Sequence, residues 1–457
     1  MSGDATGGET GDTVSNENAA RNHGELVSLL SERDLALSTE LHKAEDSDVF
    51  DFDAQKPASD VFPQSVASGG PTPEGVILWT RINPDFYDRN TPLAVEVSDD
   101  SEFDEPVFKG VVDDQDAIRQ HDYTVKVDLD GVLEPDSEYF YRFIYDGTAS
   151  KTGRCRTLPA PGSNPDSVSF AVVTCQNYLN GYYGVFHHIS EEDIDFVIHV
   201  GDFIYESASG DFKGRGTPEL DGRSLELPSG NDRVYTLEDY RYLYREYKSD
   251  PLLQEALENH TLIPARDDHE IANDIHWDYE DDAPKADHPQ GDDPEFMTRL
   301  TADGIHTWWE YMPARIEYDP NEDGLQDRFQ LWRSLGFGDL VDIIMTDERL
   351  FRCPPKDDKR FPLVTSADPE DEDDDRTMLG DEQLEWLKNE LRDSDAVWTV
   401  WSDEVPIAPI RLGLEPLSLY PVQVGWDGYV RERDEIAEVI DESVDNFVSL
   451  TGDLHCY

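Results

Sequence analysis

The sequence predicts an α/β (α+β) protein in which a β-sandwich precedes a domain of β-sheets flanked by helices. Three observations carry that prediction. Between about residues 60 and 160, apolar and polar residues alternate with a period of two, broken by turn signals. Beyond 166, short apolar runs alternate with helical stretches, as buried strands packed between helices do. Nearly all of those runs end in Cys, Asp, Glu or His, and ligand chemistry collects at the carboxyl ends of such strands.

The elements follow in chain order. Residues 1–22 are rich in Gly, Ser, Thr, Asp, Glu and Asn and are expected to form a disordered acidic N-terminus. They carry neither a basic n-region nor an apolar h-region, so the chain as written reads as cytoplasmic. A helical lead-in is expected over 23–58, where Leu26, Leu29, Leu30 and Leu37 recur at roughly helical spacing. The sandwich is placed at 59–160. Within it, 123–129 alternates strictly, 139–145 is rich in aromatics, and Leu133 to Ser137 supplies the turn through Pro135. Pro159, Pro161 and Pro165 mark a linker to the domain at 166–457. Its buried strands are expected at 168–175, 196–202, 262–268, 341–347, 397–404 and 447–455. Thr236 is the expected cap of a helix with Tyr240, Leu243, Tyr244 and Tyr247 along one face. Acidic stretches around 279–294 and 366–376 read as solvated surface loops.

Composition excludes several classes of function. The 457 residues include 101 Asp+Glu against 37 Lys+Arg, a formal net charge of −64. Nucleic acid or an anionic membrane needs a basic face, so neither is an expected partner. No apolar run approaches the roughly 18 residues of a membrane span. With 11% aromatics the chain is too rich in core-forming residues to be an acidic disordered polymer. Charge spread over the whole length is best tolerated where molar salt screens it to about 3 Å, which points to a halophilic source. Four cysteines without CxxC spacing argue against a disulfide scaffold or a zinc ribbon. The absence of a P-loop, a G-x-S-x-G elbow and a G-x-G-x-x-G turn leaves kinase, serine hydrolase and dehydrogenase readings without support.

The candidate chemistry sits at four strand ends: Cys175-Gln176-Asn177, Asp202 with Tyr205, Asp268-His269 with Asn273, and Asp453 with His455. Singly, each has a plain structural explanation. Cys175 could be a small core residue, His269 a satisfied core histidine and Asp268 a helix cap. No packing requirement calls for the whole set, whereas a site for two cations does.

In order and wording these blocks resemble the alkaline phosphatase D family of calcineurin-like metallophosphoesterases. The resemblance covers about 60–457. It rests on Gly75 to Arg81, Thr174 to Tyr178, His199 to Glu206, Asp267 to Glu270, Asp347 to Arg349, Leu379 to Gln383, Trp426 to Tyr429 and Thr451 to His455. It implies an immunoglobulin-like N-terminal sandwich and a metallophosphoesterase domain of mixed sheets. It also implies a ferric ion held by Cys175, Asp202 and Tyr205, with calcium alongside. Asp202 would bridge, Asn273, Asp453 and His455 would complete the two positions, and Asp268 is a further candidate that could instead orient His269. His269 is the expected catalytic group, contacting phosphate or protonating the leaving oxygen. Arg266 stands where the family usually has Trp, and is expected either to bring positive charge near phosphate or to cap the surface. Family members are commonly exported through the twin-arginine route, and they usually continue beyond the position of Tyr457.

The expected activity is that of a metal-dependent alkaline phosphatase. It would hydrolyse small phosphomonoesters, and some diesters, by in-line attack of a hydroxide generated at the metals. The competing readings are a phosphodiesterase on lipid, nucleotide or cell-wall diesters, and a non-catalytic binding protein that works through its sandwich.

Overall fold

The computed structural model describes residues 41–44, 48–112, 115–319, 322, 324–355, 376–410 and 424–455. The period-two segment folds as expected into antiparallel strands. One sheet is built around Leu93–Ser98, flanked by Phe108–Val112 on one side and Glu138–Tyr145 on the other. Its inward residues Val95, Val97, Tyr141, Phe143 and Tyr145 pack onto Val76, Leu78, Val125 and Val127 of a second layer. The six-residue helix Gln115–Gln120 interrupts this otherwise β region.

That second layer reaches beyond the N-terminal unit. Val66–Thr72, Gly75–Arg81 and Thr124–Asp128 are not confined to the N-terminal unit. They continue a single sheet with the parallel strands Thr261–Pro264, Phe196–His199 and Phe170–Val173. The join is tight: a Cβ at Gly69 would lie 2.6 Å from the Leu262 carbonyl oxygen, so only glycine fits there. The two units therefore share backbone hydrogen bonding across one sheet.

The lead-in differs from expectation as well. Leu41–Lys43 is an edge strand paired with Phe108–Val112 and not the end of a helix. The helical spacing of Leu26, Leu29, Leu30 and Leu37 falls outside the described residues.

In the larger domain a second mixed sheet runs Arg333–Phe337, Val341–Met345, Trp398–Ser402, Phe447–Leu450, with the last three parallel. All six runs that end in ligand-type residues thus form strands. Phe196, Ile198 and Ile263 from one sheet pack against Phe337, Ile343, Met345 and Val400 from the other. The helices Gly184–Glu191, Leu237–Tyr247, Pro251–Asn259 and Pro294–Tyr311 cover the outer face of the first sheet. Gly380–Asp393 and Val430–Ser443 cover the second. Thr236 caps Leu237–Tyr247 through a capping box with Asp239, and Tyr240, Leu243, Tyr244 and Tyr247 are all buried. The acidic stretch near 279–294 is not a simple solvated loop. Ala283–Lys285 pairs with His276–Asp278, and His288 is buried. Of the stretch at 366–376, only Arg376 is among the described residues. No helix among the described residues is long and apolar enough to cross a membrane.

Behind the first sheet, Lys248 is buried with its ammonium 4.2 Å above the Trp79 ring. The ammonium makes no hydrogen bond among the described residues. Burial lowers its pKa from 10.5 to about 7. The unfolded chain therefore holds this proton more tightly between pH 7 and 10.5, so the lysine's contribution to stability rises over that window. Lys248→Met is expected to raise the urea midpoint most below pH 7, with the gain shrinking toward pH 10.5. A gain independent of pH would show that the charge is not the cost.

Candidate metal centre

The strands Phe170–Val173, Phe196–His199, Thr261–Pro264 and Phe447–Leu450 end at one place, and the loops after them carry the candidate ligands. A cleft of about 400 Å³ is lined there by Asp202, Tyr205, His269, Asn273, Asp453 and His455. Ligand atoms of Cys175, Asp202 and His455 lie within 4.8 Å of one another, as do those of Asp202, Asp268 and His269. The Tyr205 hydroxyl donates to Asp202 Oδ2 at 3.1 Å and sits 3.0 Å from His455 Nε2. The predicted residues from four separated segments are thus brought together. Asn273 lines the same cleft, but its amide nitrogen is turned to Asp274 at 3.1 Å and Asp287 at 3.3 Å.

The backbone is forced into this arrangement. Cys175, Asp202, Asp453 and His455 have φ of 55°, 57°, 60° and 51°, in the left-handed region that costs an L-residue of order 1 kcal/mol. Such positions persist only where the surroundings overdetermine them, and here they coincide with the chemically active side chains. Glu270 does much of the holding. Its carboxylate accepts the backbone amides of Asp202 at 3.1 Å, Phe203 at 2.6 Å and Asp267 at 2.8 Å. It thereby ties the second strand end to the third.

The electrostatics call for cations. Asp202 Oδ1, Asp267 Oδ2 and Asp268 Oδ1 are buried without hydrogen-bond partners among the described residues. Unpaired anionic oxygens away from water are costly, and a bound cation would satisfy them. Burial, reinforced by Asp268, Glu270 and Asp453, pushes the Asp202 carboxyl well above the usual range despite the opposing charge of His269. Burial and then the Asp202 charge raise the Cys175 thiol and the Tyr205 phenol. Positive charge at the centre is what would release these protons. A thiolate, a phenolate, carboxylates and an imidazole form a donor set that suits a trivalent or divalent transition ion beside a hard, oxygen-bound one.

Three buried groups that the sequence did not single out complete the site. Arg349 is fully buried. It pairs with Asp267, reaches Asp453 Oδ1 at 2.7 Å and lies 3.6 Å from Asp268 Oδ2. Against the cost of burial, Arg349 and then His269 hold Asp268 down to about 2. Asp267 was seen only as part of a block, yet its carboxylate oxygen lies within 4.8 Å of those of Asp268 and Asp453. Glu206 accepts from His269 Nδ1 at 2.7 Å, from the Asn273 backbone N–H at 2.9 Å and from Arg233 at 2.9 Å. Glu206, not Asp268, orients His269. Asp268 instead receives the Asp274 amide at 2.7 Å.

Arg266 does neither of the things expected of it. It is 2% exposed, and one guanidinium nitrogen donates to both carboxylate oxygens of Asp347, each at 2.8 Å, so it neither lines the cleft nor caps the surface. The only sequence signal for Glu206 and Arg349 was their place inside strand-end blocks, because what they contact is distant in the chain.

With Nδ1 bonded to Glu206, His269 has Nε2 left for a ligand. Burial disfavours the imidazolium, but Glu206, Asp202 and Asp268 together raise its pKa well above the ordinary value. Glu206→Gln is expected to lower kcat by about 10²-fold with little change in KM, because it removes the charge that holds the proton and fixes the ring. Steady-state kinetics would show this, and a change confined to KM would contradict it.

The profile of the PhoD-like phosphatase family matches residues 170–457, and that of its N-terminal domain matches 46–159. The chain is 32% identical over 410 residues to alkaline phosphatase D of Bacillus subtilis (strain 168), an alignment covering 86% of this chain. The chain spans 64% of the length of that relative. A solved structure titled "Structure of PhoD" superposes with a TM-score of 0.74 at 31% identity, covering 88% of this chain and 73% of the other. The chain belongs to the PhoD-like phosphatase family.

Proposed function

We propose that this protein is a metal-dependent phosphatase that hydrolyses small phosphate esters at the Cys175–Asp202–Tyr205–His455 centre. The observation that supports it most is the convergence of this donor set on strained backbone around buried carboxylate oxygens that lack partners. Cys175, Asp202 and Tyr205 would hold iron. Asp268, Asn273, Asp453 and His455 would complete the centre, with calcium as the second ion. When bound, such a pair supplies positive charge to the phosphoryl oxygens and acidifies water. The residues of the chain do the rest. Glu270 sets the position of the Asp202 loop, and Arg349 aims Asp267, Asp268 and Asp453 and, against the cost of burial, holds the Asp268 carboxyl below its ordinary range. His269, held by Glu206, donates its Nε2 proton to the departing alkoxide.

Metal removal tests this reading. Exhaustive chelation is expected to lower turnover of 4-nitrophenyl phosphate by about 10²-fold or more. Iron and calcium together should restore it, with elemental analysis following the content. Wild-type protein is expected to absorb in the visible through a phenolate on iron, and Tyr205→Phe is expected to lose that band. Protein that binds neither metal and hydrolyses neither a monoester nor a diester would overturn the reading.

A further inference from the structure

An anionic ester must enter a cleft walled by Asp202, Asp211, Asp274 and Asp453, on a chain of net charge −64. Among the described residues lining that cleft, Lys213 is the only lysine or arginine. It stands on the segment 207–217, which follows the Asp202–Tyr205 turn and is fastened on two sides. The Gly214 amide donates to Asn180 Oδ1 at 2.8 Å, on the loop that follows Cys175. Phe212 lays its ring edge-on to His269 with centroids 4.4 Å apart, and the Arg233 guanidinium lies 4.3 Å from the centre of the same ring. Arg233 in turn binds Asp211 at 3.0 Å and Glu206 at 2.9 Å. Lys213 is therefore presented by a segment anchored to the His269–Glu206 pair.

The Lys213 side chain is only 14% exposed, yet its ion-pair partner at 3.2 Å, Glu219, is 96% exposed. A pair with one fully solvated member contributes little, so the ammonium can be transferred to a bound anion at small cost. Building on the phosphatase reading, we propose that Lys213 is a substrate-binding residue. It would contact the non-bridging phosphoryl oxygens and favour a dianionic monoester over a monoanionic diester. The physical reason is that its attraction scales with the charge of the ligand, whereas the other side chains that form the walls are neutral, anionic or committed to the metals, apart from His269, whose proton goes to the leaving oxygen.

The test uses the full metal-loaded chain and three probes: 4-nitrophenyl phosphate, bis(4-nitrophenyl) phosphate and inorganic phosphate. Lys213→Gln is expected to raise KM for the monoester roughly tenfold, with kcat within about twofold, and to raise KM for the diester less than about threefold. Phosphate affinity measured by calorimetry should fall in parallel with the monoester effect, and Lys213→Arg should recover most of both. An unchanged phosphate affinity, an equal rise in KM for both esters, or a loss confined to kcat would overturn the role of Lys213. A wild-type protein that hydrolyses neither ester would overturn the phosphatase reading instead, and the phosphate titration would still decide Lys213.

Discussion

Asp202→Asn is expected to lower turnover of 4-nitrophenyl phosphate by about 10³-fold while leaving the fold intact. Asparagine keeps the shape and tolerates the left-handed φ of 57° at this position, so the substitution removes charge and little else. The charge matters because Asp202 shares close contacts with both halves of the ligand set, Cys175 with His455 and Asp268 with His269. The same substitution should raise the thermal midpoint of the metal-free protein. In the wild type the buried carboxyl stands with one oxygen unpartnered among Asp268, Glu270 and Asp453, an arrangement that is unfavourable without a cation. Activity and metal-free stability are thus expected to move in opposite directions. Retained turnover in Asp202→Asn, or in the harsher Asp202→Ala, would remove Asp202 from the centre.

Arg349→Met is expected to destabilise the metal-free protein by about 3–5 kcal/mol, the cost typical of stripping one partner from a buried ionic cluster. Arg349 is the guanidinium that holds Asp267, Asp268 and Asp453 together, and the first two are buried away from bulk water. Metal binding should recover part of the loss, since a bound cation supplies the missing positive charge and binds only the folded state. The stability difference between loaded and metal-free protein is therefore expected to be larger in the variant than in the wild type. Arg349→Lys should fall between the two, because a single ammonium cannot span three carboxylates as a planar fork does. Urea denaturation of all three proteins with and without iron and calcium measures these stabilities. Equal stability of Arg349→Met and wild type without metal would show that the cluster needs no internal counter-charge.

Much of the site was legible in the sequence because it depends on local rules. Apolar runs ending in Cys175, Asp202, Asp268 and His455 announce strands whose carboxyl ends carry ligand-type residues, and those ends do converge. The Thr236 cap and the stripe of Tyr240, Leu243, Tyr244 and Tyr247 were readable for the same reason, since capping and helical periodicity act within a few residues. What was misread depends on separation in the chain. The alternation that marks the second layer of the sandwich is local and says nothing of its onward pairing. Whether Val66–Thr72 pairs onward with Thr261–Pro264 is decided by contacts nearly two hundred positions apart. Arg266, standing where the family usually has Trp, was expected either near phosphate or at the surface, but its partner Asp347 comes from the other sheet.

The sequence by itself determined the donor types at the strand ends: a cysteine, a tyrosine, carboxylates and histidines, in a chain too acidic to attract an anion without added positive charge. The tertiary structure decided which side chains make that chemistry workable. Glu206 behind His269, Glu270 across three backbone amides and Arg349 among three aspartates are each buried, and each acts across a gap in sequence that no periodicity spans. The reason is physical. A ligand type can be read from residue chemistry alone, whereas its charge state and aim are set by desolvation and by neighbours that only the packed sheets bring within reach.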